Sequence, residues 1–201
     1  MGELNIFNLE HFNTKHNCEI YVETGTGIGV CLSHMLKYKF KKYYSIDIDG
    51  DLIEQAKNNF TDNRIKFIHD YSFQALDELV PKLPTNKSVL FFLDAHFPGA
   101  DFGKTTYEDS IKEFKEEAFP LFKEIKMIKK HRDISKDCFI IDDWKLYDKN
   151  KEYEMPGWDY AELQESLGLN ISKDIILDNF KETHNYEVNL RHQGFLFVTP
   201  K

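Results

Sequence analysis

Cysteine is scarce in this chain: three residues, Cys18, Cys31 and Cys138, in 201. The number is odd and no two stand in CxxC spacing, so a disulfide framework and a zinc site are both disfavoured. Buried thiols in a reducing compartment are expected instead. Positive charge is also short. Lys and Arg total 26 against 34 Asp and Glu, a formal net charge of −8. Such a balance argues against a partner bound mainly through phosphates, so nucleic acid is not an expected partner, although Lys37, Lys39, Lys41 and Lys42 cluster in one run. Long apolar runs are missing, which excludes a membrane-spanning helix of the usual length. The first residues, MGELNIFNLEHFN, carry no basic stretch ahead of an apolar one and are not read as a signal peptide. The expected location is the cytoplasm. Low-complexity segments and internal repeats are absent too. The length suits one sizeable core, and residues 1–201 are read as a single domain.

What the sequence does have is a rhythm. Short apolar runs stand at Glu19–Glu23, Tyr43–Ile48, Ile65–His69, Val89–Leu93 and Cys138–Ile141. Helical patterns lie between them: Gly29–Lys39, Asp51–Asn59, Ser72–Lys82 and Tyr107–Lys130. Within the last, FPLFKEIKMI (119–128) has the spacing of a core-facing helix. Such alternation predicts βαβ units and a parallel sheet covered on both faces. Unbroken apolar strands fit burial on both sides. After a mixed segment, Glu152–Asn179, two further β-like runs, Glu182–Leu190 and Gly194–Thr199, flank a turn and predict an antiparallel hairpin.

Acids mark the strand ends. Glu23, Asp47, Asp70 and Asp94 follow one another at intervals of 23 or 24 residues, and Asp142–Asp143 close the fifth run. In a parallel sheet these ends share one edge, and open α/β sheets bind ligands outside it. One aspartate after a strand is commonly a helix cap. Five strands ending on acids point to a rim that meets hydroxyls, amines or a cation. The stretch FFLDAHFPG puts His96 two residues beyond Asp94.

The first run opens into ETGTGIG. Its glycines at 25, 27 and 29 allow a tight turn and close backbone approach to a ligand. A dinucleotide fingerprint would need Gly at position 30, where Val30 stands, and Glu23 would sit badly beside a pyrophosphate. An acid there suits a ligand with a cationic end. Asp47 can accept the hydroxyls of a ribose, and Asp70 lies where a base edge would be. DIDGD (47–51) is not a calcium loop, because Leu52 and Asn58 occupy the positions that need Gly and Glu.

VETGTGIG, YSIDIDGDLIEQAKNNF and IKFIHDYSFQAL together resemble the successive motifs of class I S-adenosylmethionine-dependent methyltransferases. The resemblance covers most of the chain. It implies an α/β Rossmann-like class I methyltransferase fold, a mostly parallel seven-stranded sheet with an antiparallel C-terminal hairpin. It implies S-adenosylmethionine as cofactor, held by Glu23, Thr24, Gly25, Thr26, Gly27, Gly29, Asp47, Asp70, Tyr71 and Asp94. LDAH and IDDW are similar to the magnesium-dependent O-methyltransferases of sugars and related small molecules. That likeness implies Mg²⁺ at Asp94, Asp142 and Asp143, with Asp94 and His96 as the catalytic pair. His96 is then a general base or a neighbour of the metal. Read without the resemblance, His96 is a structural or substrate-contacting group ahead of a catalytic one, and the acid pair can be a helix cap. Loop Phe97–Thr106 stands where a lid or substrate wall would be. Trp144, Tyr147 and Trp158 are read as packing ahead of an aromatic substrate wall.

The expected activity is O-methylation of a small hydroxylated molecule. The alternatives are a non-catalytic or differently reacting nucleotide-binding domain of the same fold, and a protein methyltransferase. DAHF replaces the NPPY-type motif of amine methylation, which disfavours DNA and glutamine amides as acceptors. The oligomeric state is left open, a homodimer included.

Overall fold

The computed structural model describes residues 4–148, 168 and 172–201. Its strands are β1 (Cys18–Thr24), β2 (Lys42–Asp47), β3 (Ile65–His69), β4 (Ser88–Leu93), β5 (Cys138–Ile141), β6 (His184–Asn189) and β7 (Phe195–Pro200). They form one sheet in the order β3-β2-β1-β4-β5-β7-β6. Neighbours among β1 to β5 pair in parallel, whereas β7 runs antiparallel to β5 and β6 antiparallel to β7. This is the predicted mixed sheet. Strand order reverses between β1 and β4, and it is outside the carboxyl ends at such a switch point that open α/β sheets hold ligands.

The apolar strands are buried on both faces because successive side chains alternate. Val89, Phe91 and Leu93 of β4 join one core with Phe139 and Ile141 of β5. Leu90 and Phe92 join the opposite core with Cys138 and Ile140. Phe91 stacks on Phe139 with ring centroids 5.2 Å apart. A buried ion pair, Arg132 Nε to Asp137 Oδ2 at 2.7 Å, precedes β5, and Val89 N donates to the same carboxylate. All three cysteines are buried and none forms a disulfide.

Helices cover the sheet: α1 (Glu10–Thr14), α2 (Val30–Met35), α3 (Gly50–Asn59), α4 (Ser72–Leu79), α5 (Tyr107–Phe114), α6 (Leu121–His131), α7 (Trp144–Tyr147) and α8 (Lys173–Leu177). Asp49 caps α3 by accepting from Asp51 N and Leu52 N. The helix expected over Tyr107–Lys130 is instead two. Lys115 turns to φ 50°, a 3₁₀ turn spans Lys115–Ala118, and α6 starts after Pro120. A proline lacks the N–H that a continuous helix requires and clashes with the preceding turn. Residues 119–128 do face the core as expected, through Leu121, Ile125 and Ile128, but Glu124 is buried with them. Trp144 and Tyr147 are buried core residues, and Trp158 lies outside the described residues. Among the described residues no helix is long and apolar enough to cross a membrane.

Candidate active site

The turn after β1 is shaped by glycine. Gly25 adopts φ +83°, and a Cβ there would stand 2.6 Å from the backbone oxygen of Asp94. Gly25 N and Thr26 N both donate to Ile46 O, which ties the turn to β2. Gly27 N then donates to Asp47 Oδ2 at 2.9 Å, while Asp49 N donates to Asp47 Oδ1 at 2.9 Å. Two backbone amides thus fix the Asp47 carboxylate at the mouth of the cleft. Burial raises its pKa, and those amide hydrogen bonds work in the opposite direction.

Glu23 points elsewhere. Tyr21 OH donates to its Oε2 at 2.8 Å and Ser45 Oγ to its Oε1 at 2.6 Å. Ser45 Oγ also lies 2.6 Å from Thr26 Oγ1. Burial pushes this carboxyl up to about 7 despite those bonds. As placed here, Glu23 braces the glycine turn from behind. Each of its oxygens accepts one internal hydrogen bond, and Glu23 is not among the residues that line the cavity.

A cavity of about 80 Å³ opens at the switch point. Gly25, Gly27, Asp47, Tyr71, Asp94 and His96 line it. Thr24, Thr26, Gly29 and Asp70 stand outside that lining. Thr24 supports it, since Asp94 N donates to its backbone oxygen and Oγ1. Asp70 Oδ1 accepts from Tyr71 N at 2.8 Å. The opposite wall comes from the segment after β4, including Phe97, Pro98 and Phe102.

The rim brings together the four groups named from sequence. His96 Nε2 lies 2.7 Å from Asp143 Oδ2, and its Nδ1 lies 3.6 Å from Asp94 Oδ1. Asp142 Oδ1 accepts from Asp143 N at 2.8 Å. Burial raises the pKa of Asp94, and the charges of Asp142 and Asp143 raise it further. Burial and Asp143 raise Asp142 too. For His96, burial favours the neutral ring, but the charge and hydrogen bond of Asp143 outweigh it and hold the imidazole at about 9. The ring therefore carries a proton at neutral pH and donates to Asp143.

Three carboxylates with one imidazole are a donor set whose chemistry suits a hard cation. Among the described residues no N–H donor reaches the buried Asp142 Oδ2, and the Asp94 carboxyl is its neighbour. The spacing is another matter: among the described residues no three His, Cys, Asp or Glu side chains are arranged to hold a metal ion. His96 stands between Asp94 and Asp143 and supplies the countercharge.

Two residues escaped the sequence reading. Glu124 sits under the site with Thr24 and Ser72 as hydrogen-bonding neighbours, and burial pushes it up to about 7. The helical spacing of 119–128 places it on the core face, and an acid on that face is the signal in the sequence. Lys104 reaches across the cleft from loop 97–106. A lone lysine in a loop carried no signal.

No protein-family model matches the sequence, and no curated protein matches it. Solved structures do match. An O-methyltransferase from Bacillus cereus in complex with S-adenosylhomocysteine is 10% identical, with a TM-score of 0.59 over 96% of this chain and 79% of that one. The O-methyltransferase TomG from Streptomyces achromogenes, in complex with S-adenosylmethionine, is 11% identical, with a TM-score of 0.55 over 96% and 78%. An S-adenosylhomocysteine-bound methyltransferase from Podospora anserina is 12% identical, with a TM-score of 0.54 over 94% and 74%. These likenesses establish the Rossmann-like class I methyltransferase fold for this chain.

Proposed function

We propose that this chain transfers the methyl group of S-adenosylmethionine to an oxygen of a small hydroxylated molecule. The observation that carries the reading is the Asp47 carboxylate, held by Gly27 N and Asp49 N beside the glycine turn and facing the cavity. A carboxylate fixed in that way is ready to accept two vicinal hydroxyls of a ribose. The ligands bound to the structural neighbours support the same cofactor.

Methyl transfer is an in-line displacement. The carbon–sulfur bond breaks with its electron pair going to sulfur, the new carbon–oxygen bond forms, and the acceptor oxygen gives up its proton. Much of the rate comes from holding the two reactants in line. The rim carboxylates favour a cationic sulfonium nearby. His96 is already protonated and bound to Asp143, so its task in this reading is to orient that carboxylate and offset the charge of the cluster, not to take the acceptor's proton. Incubation with S-adenosylmethionine and a panel of catechols, sugars and other hydroxylated metabolites tests the reading. Release of S-adenosylhomocysteine with a methyl ether as product is expected.

A second reading adds Mg²⁺ at Asp94, Asp142 and Asp143. The clustering of the Asp94, Asp142 and Asp143 carboxyls around one imidazole favours it. Such an ion would lower the pKa of an acceptor hydroxyl and orient it. Turnover that falls in excess chelator, returns with Mg²⁺, and fails to return in Asp142→Asn supports this reading. An unchanged rate in chelator rejects it.

A further inference from the structure

Loop 97–106 leaves β4 at the rim and crosses the exit of β1 to reach the start of α3. Its base is buried. Phe97 is 2% exposed and packs edge-on against Tyr107 and Phe119. Ser110 Oγ donates to Pro98 O at 3.0 Å, and Tyr107 OH donates to Asp101 Oδ1 at 2.6 Å. The tip is held differently. A Cβ on Gly27 would lie 2.8 Å from Phe102 Cζ, so that ring rests directly on the glycine turn. Lys104 Nζ lies 2.6 Å from Asp49 Oδ2 and 3.0 Å from Asp51 Oδ2. Asp49 is the residue whose amide holds Asp47. The loop is therefore tied to the turn that presents the ribose-binding carboxylate.

Size decides what that closure means. The cavity beneath the loop is about 80 Å³. Pockets that bury ligands of cofactor size run to roughly 300–1,000 Å³. A nucleoside cofactor does not enter while Phe102 lies on Gly27. The wall that yields is the loop tip: among the described residues the half-exposed Lys104 and the Phe102 ring tie it to the far side of the cleft, whereas the remaining walls come from the sheet edge and from α3 and the start of α4. Gly99 and Gly103 stand at φ +79° and +66° on either side of Phe102, and a Cβ on Gly103 would meet nothing within 4 Å. The tip has room to lift, and its flanks are glycine.

We propose that Lys104, paired with Asp49 and Asp51, is a positioning residue that latches loop 97–106 over the cofactor cleft, and that Phe102 is the plug it holds in place. The proposal rests on the cofactor reading of this cleft. An exposed ion pair is screened by salt, so the latch loosens as ionic strength rises. Breaking it raises the rate of ligand escape more than it alters the closed site.

Two measurements test it. Release of S-adenosylhomocysteine, followed by stopped flow, is expected to be about two- to fivefold faster in Lys104→Met than in wild type at about 50 mM salt. Lys104→Arg restores slow release, and the difference shrinks at about 500 mM salt. Chymotrypsin cleavage after Phe102 in the ligand-free chain is expected to accelerate in Lys104→Met by a similar factor. Equal cleavage rates in wild type and Lys104→Met at low salt overturn the latch. Failure of wild type to bind S-adenosylhomocysteine overturns the cofactor reading instead, and cleavage still decides whether Lys104 holds the loop.

Discussion

His96 Nε2 and Asp143 Oδ2 lie 2.7 Å apart and join the exit of β4 to the exit of β5. Asp143 reaches this position by adopting φ 52°, a left-handed conformation that aspartate tolerates better than most residues. Such strain is kept where surrounding structure enforces it, commonly at functional sites. Asp94 stands 3.6 Å from the other ring nitrogen, so one imidazolium bridges two acids.

Removing either partner of this bridge is expected to lower turnover without unseating the cofactor. His96→Gln should reduce kcat by about 10²-fold, the size of loss that follows removal of one preorganised electrostatic group, with affinity for S-adenosylmethionine held within about threefold. Asp143→Asn should do the same, and the double variant should be no worse than the more severe single one, since the pair acts as a unit. Additive losses in steady-state kinetics would show that the two residues act separately.

Gly25 and Gly103 offer a matched test of the glycine turn. Both have positive φ, but a Cβ at Gly25 meets the Asp94 backbone at 2.6 Å whereas Gly103 faces open space. Gly25→Ala is expected to cost about 2–4 kcal/mol, from backbone strain plus displacement of the β4 exit. Gly103→Ala should cost only about 1 kcal/mol. Urea unfolding of the two variants gives the comparison, and equal costs would remove the close approach as the cause.

Glu23 and Glu124 make stability depend on pH. Both carboxyls are held at about 7 by burial, above the ordinary 4.5. A raised folded pKa means that the folded chain keeps protons the unfolded chain gives up. The stabilising contribution is full below about 4.5 and is lost as pH rises through about 7. Histidines with lowered pKa, such as His184, act in the opposite direction at acidic pH, so the difference between variants is the useful quantity. Glu124→Gln is expected to gain on wild type by roughly 5 °C in Tm above pH 8 and to lose that advantage near pH 5. Parallel melting curves at every pH would contradict the burial argument.

The sheet was legible because its strands are apolar runs ending on acids. Ile65–His69 and Cys138–Ile141 fall at the expected residues, and the hairpin lies within a residue or two of the expected bounds. Helix ends were less so. Gly29 at φ +81° begins α2 only at Val30, and Pro120 divides the long helix pattern in two. At the site, spacing placed Asp47, Asp94, His96, Asp142 and Asp143 on one edge. It did not show where side chains turn. Glu23 alternates with Val22 along β1, and that places it beneath the glycine turn beside Tyr21 and Ser45. The Lys104 contact joins residues some fifty positions apart across the cleft, and no local pattern encodes it.

Calorimetric titration of S-adenosylhomocysteine into wild type and Asp47→Ala tests the central claim most directly. One-to-one binding to wild type is expected, weakened at least about 100-fold in Asp47→Ala, since a fixed carboxylate and two charge-assisted hydrogen bonds are lost. The far-ultraviolet circular dichroism of the two proteins should agree. No binding to wild type, or equal affinity in a folded Asp47→Ala chain, would contradict the account.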